Sequence, residues 1–179
     1  KECVTGPASV NGQVMRAAGP MFNKMLEGAG ASIASMASSE VYAALQTGVL
    51  TGVNTSSGSF VSFKIYEQVK CATPPGKFGL WFMYEPILIS KKSFEALNDE
   101  QKKALLAAGK KSEAYMLGQV EALDKKMEDT YKAKGVKLAY MSEKDYTDWV
   151  EIAKNTSFKE FSDKVPAGAS LIEKALAVK

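Results

Sequence analysis

Apolar and polar positions along this chain follow two rhythms, and the rhythm changes at glycines and prolines. Short apolar stretches, Gln13 to Ala18 and Ala31 to Met36, read as strands, and Gly48 to Asn54 reads as a brief strand or turn. Segments of helical period separate them. Gly19-Pro20 opens the first, with Pro at the first helical position, Met21, Phe22, Met25 and Leu26 on one face, and Gly28 or Gly30 at its end. Ser38 or Ser39 is the expected N-cap of the second, whose stripe of Val41, Tyr42 and Leu45 runs to Gly48. A third is expected from Ser57 to Gln68, with Phe60, Phe63 and Ile65 inside. Strand, helix, strand, helix predicts a parallel sheet and an α/β fold.

Val69 to Thr73 is another strand candidate, after which Pro74-Pro75-Gly76 breaks regular structure and marks a crossing between two lobes. Phe78 to Ser90 reads as one extended segment. Asn98 and Gln101 then have the spacing of a helix cap, and no proline interrupts the helical period before Lys134-Gly135. Such a helix is ~50 Å long, longer than one small lobe is wide, so it is expected to bridge two lobes. The chain closes with GVKLAY as a strand, a helix capped by Ser142 with Trp149 on its inner face, and a last amphipathic turn, SLIEKALAV.

Composition narrows the functions open to such a fold. The chain has 179 residues, of which 46% are hydrophobic, enough to bury a core. Its net charge of +3 arises from 23 basic and 20 acidic residues scattered without a basic block, which argues against nucleic acid as a partner. No apolar run approaches the roughly 20 residues that span a bilayer, so direct membrane insertion is not expected, and KECVTGPASVNG lacks the apolar core of a signal peptide. The chain reads as mature or as a piece. The absence of histidine removes His-based acid/base chemistry and most zinc sites, and is the strongest argument against an enzyme. Cys3 and Cys71 are too far apart for a CxxC motif, leaving two buried thiols or one disulfide.

All of the basic residues except Arg16 are lysine. A lone arginine in a predicted strand suits a position that needs a flat, five-donor fork, such as a bidentate carboxylate contact; the plainer reading is a strand-end arginine paired with an acid such as Glu40. Asn54 to Ser59 is an uncharged, hydroxyl-rich ledge at a helix start, where hydroxyls serve as caps or as ligand donors. Trp81, Phe82 and Tyr84 read as core or as a pocket wall.

MRAAGPMFNKMLEGAGAS followed by SSEVYAALQTGVLTG resembles the signature region of the solute-binding proteins of tripartite ATP-independent periplasmic (TRAP) transporters, the family that includes dicarboxylate and sialic acid receptors. KIYEQVK, PILISKKSFEALNDEQKKAL and the long helix follow in the family's order. The resemblance covers essentially the whole chain but only the later part of such proteins. It implies a periplasmic binding protein-like fold made of the second lobe (1–75 and 135–179), a return segment to the first lobe (76–98) and a bridging helix (99–134), with most of the first lobe absent.

The resemblance also implies a periplasmic receptor that closes on a small organic acid and hands it to the permease subunits of the transporter, with no cofactor and no chemical step. Arg16 inherits the family's carboxylate clamp. Thr55 stands where the family often has asparagine, with Asn54 before it and Ser56 after it; Thr51 stands where aspartate is usual, and Ser38 where some relatives have an aromatic wall. The pocket is thereby expected to differ in shape, with Asn54, Thr55 and Ser56 as neutral contacts, Trp81 and Tyr84 as a wall, and Glu85 on a cation or a ligand hydroxyl. A Cys3–Cys71 disulfide follows from the family's strand layout near the lobe crossing. The competing readings are an α/β enzyme fragment acting on small acids and a non-binding structural remnant.

Overall fold

In the computed structural model, which describes residues 3–80 and 86–178, the first strand, β1 (Val14–Arg16), lies between two glycines held at positive φ, Gly12 at 71° and Gly19 at 136°. The two glycines bound the expected strand, and within it the ladder covers three residues, Gln13 instead donating its N–H to Val10 O at 3.0 Å. Helix α1 (Pro20–Gly28) leads to β2 (Ser32–Ile33). A 3-10 turn (Ser38–Glu40) and α2 (Val41–Gln46) then lead to β3 (Gly52–Val53). All three strands are parallel in the order β2-β1-β3, with Val14 opposite Ser32, Met15 opposite Ile33 and Gly52, and Arg16 opposite Val53. β2 and β3 are shorter than the sequence suggested, since a ladder reaches no further than its three-residue partner. A Cβ at Gly52 would collide with Met15 Sδ, so a side chain there would force the buried Met15 to shift.

Both faces of the sheet are buried. Met15 and Ala17 pack with Val10, Met25, Leu26 and Trp149 on one face, while Val14 packs with Val41, Leu50 and Ile65 on the other. Side chains alternate along a strand, so Arg16 emerges on the face of Val14, toward the turn before α2.

Two helix boundaries differ from expectation. Ser38 and Ser39 do not cap α2. Instead Glu40 Oε2 accepts the Ala37 N–H at 2.8 Å, and the Ser38 hydroxyl is engaged elsewhere. The helix expected from Ser57 to Gln68 is broken into α3 (Ser57–Ser62), capped by Ser56, and a 3-10 turn (Ile65–Glu67), with Lys64 at φ 52° between them. Ile65 follows Phe63 by two residues, a spacing that one straight helix cannot bury on a single face, and the left-handed Lys64 turns Ile65 into the core at 1% exposure.

A second parallel pair joins β4 (Cys71–Ala72) to β5 (Lys137–Leu138), both within the expected strands. Between them lie the short α4 (Lys91–Glu95) and α5 (Asp99–Ala133), a single 35-residue helix opened by a reciprocal Asn98/Gln101 capping box. Only its C-terminal end is buried. Met127 and Tyr131 are sealed, Tyr131 contacts Phe60 and Tyr66 edge to face, and its hydroxyl, donating to Phe60 O at 3.3 Å, has its pKa pushed up by burial. Farther toward the N-terminus, Leu105, Leu106, Tyr115, Met116, Leu117 and Val120 are exposed, as are Ile87, Leu88 and Ile89 before α4.

The C-terminal part returns to the first sheet. Helix α6 (Glu143–Ala153), capped by Ser142 with Asp145, buries Trp149 beside α1, and runs into a π-helical turn (Lys154–Phe158), α7 (Lys159–Lys164) and α8 (Gly168–Leu176). Ser157 donates to Met21 O at 2.9 Å, and a Cβ on Gly28 would strike Thr156 and Ile152, so the π turn sits directly on α1.

Cys3 and Cys71 form a disulfide with Cα atoms 5.2 Å apart across 68 residues of sequence. A loop of that length predicts that reduction, or Cys71→Ser, lowers stability by about 2–4 kcal/mol. Urea unfolding with and without reductant measures this, and two free thiols in the non-reduced intact mass would remove the premise.

Candidate functional site

In a parallel sheet all strands end on one edge, and ligands bind outside that edge where the connections diverge to either side of a strand. Here β1 is that strand, because α1 leads to β2 on one flank and the next crossover reaches β3 on the other. Arg16 is its last residue. A cleft of about 560 Å³ opens at this point, lined by Arg16, Ala17, Ala18, Gly19, Pro20, Asn23, Ser35 and Met36. Gly19 makes the sharp exit from β1, and Pro20 starts α1, which places Asn23 in the first helical turn above the strand end.

Arg16 is 5% exposed. Its Nε donates to Met36 O at 3.1 Å and its Nη2 to Ser38 Oγ at 3.0 Å, while Nη1 is buried without a partner. Among the described residues no carboxylate lies within salt-bridge distance of it. Glu40, the acid expected to pair with it on the plainer reading, accepts the Ala37 N–H instead. Burial pushes the guanidinium pKa below its usual value, yet arginine stays charged in proteins, so the site holds a desolvated cation with one edge of its fork open. An anion with two acceptor oxygens is the natural complement. Two further buried atoms are unpaired, Asn23 Oδ1 in the cleft lining and Asn54 Oδ1 just past β3.

The ledge is divided by the structure. Ser56 caps α3, accepting the Ser59 N–H at 3.3 Å and donating to Ser59 Oγ at 3.1 Å, so it has the plainer of its two roles. Thr55 is 7% exposed, and the Asn54 N–H donates to Arg16 O at 2.8 Å, fixing this strand end against the arginine. None of the three lines the cleft beside Arg16. Ser38 does meet Arg16, holding one arm of its fork. Trp81, Tyr84 and Glu85 lie outside the described residues. Asn23, Ser35 and Met36 escaped the sequence reading; the available signal was a polar residue in the first turn of the helix that follows the strand bearing the lone arginine.

A second concavity of about 590 Å³, lined by Tyr66, Glu67, Val69, Lys70, Lys134, Gly135 and Val136, contains none of the unpaired buried atoms. Among the described residues no three His, Cys, Asp or Glu side chains cluster to hold a metal ion, and no helix is long and apolar enough to cross a membrane.

The model of family 7 of the bacterial extracellular solute-binding proteins (DctP) matches residues 1–164. This chain belongs to that family. A solute-binding protein of Albidiferax ferrireducens is 32% identical over 169 residues, covering 94% of this chain and 50% of its own length. A TRAP periplasmic solute-binding protein from Rhodoferax ferrireducens, crystallised with bound malonate, superposes with a TM-score of 0.90 at 30% identity, over 98% of this chain and 58% of that one. A marine metagenome TRAP solute-binding protein specific for aromatic acids gives a TM-score of 0.80 at 25% identity, over 98% and 57% of the two chains. The chain thus spans about half the length of the relative from Albidiferax and has the periplasmic binding protein fold. The family is one of bacterial extracellular solute-binding proteins, the role that the resemblance of the sequence implied.

Proposed function

We propose that this chain is about half of a periplasmic receptor that binds a small organic acid through Arg16 and delivers it to the permease of a TRAP transporter. The observation that carries the reading is the buried guanidinium with an unpaired Nη1 and no acid beside it among the described residues. Relatives crystallised with malonate or specific for aromatic acids support it. Residues 1–75 and 135–179 form the second lobe, 76–98 return toward the first, and 99–134 bridge the two. The exposed apolar residues of α5 and of 87–89 form the seat of a first lobe whose remainder lies outside this chain. Asn54 and Thr55, at the end of β3 beyond the lining of the Arg16 cleft, reach a ligand that extends past it.

Mass spectrometry of co-purifying small molecules, followed by thermal shifts with a panel of carboxylic acids and their primary amides, tests this reading. Acids are expected to raise the melting temperature and amides to leave it unchanged. A panel in which no acid stabilises the full-length protein would favour the non-binding remnant, and turnover of any acid would favour an enzyme.

A further inference from the structure

We infer that Ser38 is a positioning residue for Arg16: its hydroxyl oxygen and the Met36 carbonyl hold the guanidinium in one orientation with neutral acceptors, so that the fork meets a carboxylate already set and with its charge uncompensated. The inference rests on the carboxylate reading of Arg16 and gives Ser38 a role through the arginine rather than on the ligand.

The direction of each contact is fixed by chemistry. Arginine has N–H donors and no acceptor, so Ser38 Oγ accepts from Nη2 at 3.0 Å, as Met36 O accepts from Nε at 3.1 Å. Two anchored nitrogens on a planar group fix both its plane and its rotation. Nη1 is the nitrogen that keeps no protein partner. Both acceptors come from one short stretch, and that stretch is itself tied down at each end. Before it, the Ala34 N–H donates to Met15 O at 3.0 Å; after it, the Glu40 N–H donates to Ala37 O at 3.0 Å while Glu40 Oε2 accepts the Ala37 N–H at 2.8 Å. Ser38 is half-buried and does not line the cleft, whereas Arg16 and Met36 do. It reaches the cleft only by way of the guanidinium.

The kind of acceptor matters as much as its position. A carboxylate at this place would hold the guanidinium equally well but would neutralise it, and the Glu40 side chain, two residues on, is kept on the Ala37 N–H. A carbonyl and a hydroxyl orient the cation without cancelling its charge. An arginine oriented in advance also loses less rotamer freedom when the anion arrives, and that contribution disappears with the hydroxyl.

The test uses the full-length protein and two readouts. Malonate, benzoate, lactate and propionate are titrated by calorimetry, and for those that bind, Ser38→Ala is expected to weaken affinity by about threefold to thirtyfold. Ser38→Thr keeps a hydroxyl and should stay within about threefold of the original affinity. In the unliganded protein the guanidinium nitrogen resonances of Arg16, assigned by their loss in Arg16→Lys, should show Nη1 and Nη2 as separate signals, because a held guanidinium rotates slowly. They should merge in Ser38→Ala and separate again in Ser38→Thr. Unchanged affinity in Ser38→Ala overturns the inference, and so do Nη signals already merged in the unsubstituted protein. A loss of affinity with the signals still separate overturns it as well, since the hydroxyl would then act on the ligand directly. Each of these results leaves the carboxylate reading standing, whereas binding of none of these acids defeats that reading and the inference with it.

Discussion

Replacing Arg16 with alanine is expected to weaken carboxylate binding by about 30-fold to several thousand-fold, the equivalent of ~2–5 kcal/mol for truncating one side of a desolvated charge pair. The loss is large because, among the described residues, the cleft holds no second cation to take over: its other lining residues are Ala17, Ala18, Gly19, Pro20, Asn23, Ser35 and Met36. Arg16→Lys keeps the charge but not the planar fork, and a lysine cannot engage Met36 O, Ser38 Oγ and the ligand in one plane, so affinity should fall in the order Arg, Lys, Ala. Stability without ligand should respond quite differently. Alanine removes two hydrogen bonds but also relieves a buried cation with no acid beside it among the described residues, and these effects oppose each other. Calorimetry of both variants next to thermal melts of the unliganded proteins separates the cases. Unchanged affinity in the alanine variant, together with a lower melting temperature, would mean that Arg16 is a structural residue.

Trp149→Ala is expected to cost about 3–5 kcal/mol of folding stability. Trp149 is fully buried among Val10, Met15, Met25 and Leu26, and its indole Nε1 donates to Thr5 O at 2.7 Å, tying the N-terminal segment to α6. Alanine leaves both a cavity and an unpaired carbonyl. Trp149→Phe fills most of the volume and should lose only about 1–3 kcal/mol, the share belonging to the stranded carbonyl. Urea unfolding of the two variants reads the difference; a loss below about 1 kcal/mol for the alanine variant would show that the core is not organised around this ring.

The parts of the fold legible in the sequence are those written in local chemistry. Pro20 marked the start of α1, Asn98 and Gln101 the start of α5, Ser142 the start of α6, and each helix begins there. The break at Lys64 was not legible, since lysine carries no preference for left-handed backbone and the cause is the burial of Ile65. The helical run after Ala153 was hidden by Asn155, Thr156 and Ser157, residue types that favour turns, and is held by packing on α1. Arg16 stood out within the site because it is the lone arginine, but its link to Ser38 crosses 22 residues, and Ser38 looked like a cap. Asn23 was invisible to a search for apolar periodicity, because only the tertiary arrangement brings the first turn of α1 to the cleft that Arg16 lines.

The long helix has a mechanical consequence. The chain leaves the second sheet at β4 and returns to it at the adjacent β5, so α5 is held at one end, where Tyr131 sits edge-on between Phe60 and Tyr66. Its 35 residues make a rod of about 52 Å, and a tilt of about 10° at that base carries the far tip through about 9 Å. Three aromatic rings therefore stand at the base of the rod, and any readjustment among them that tilted it would be magnified toward the exposed Leu105 and Leu106 near the far end.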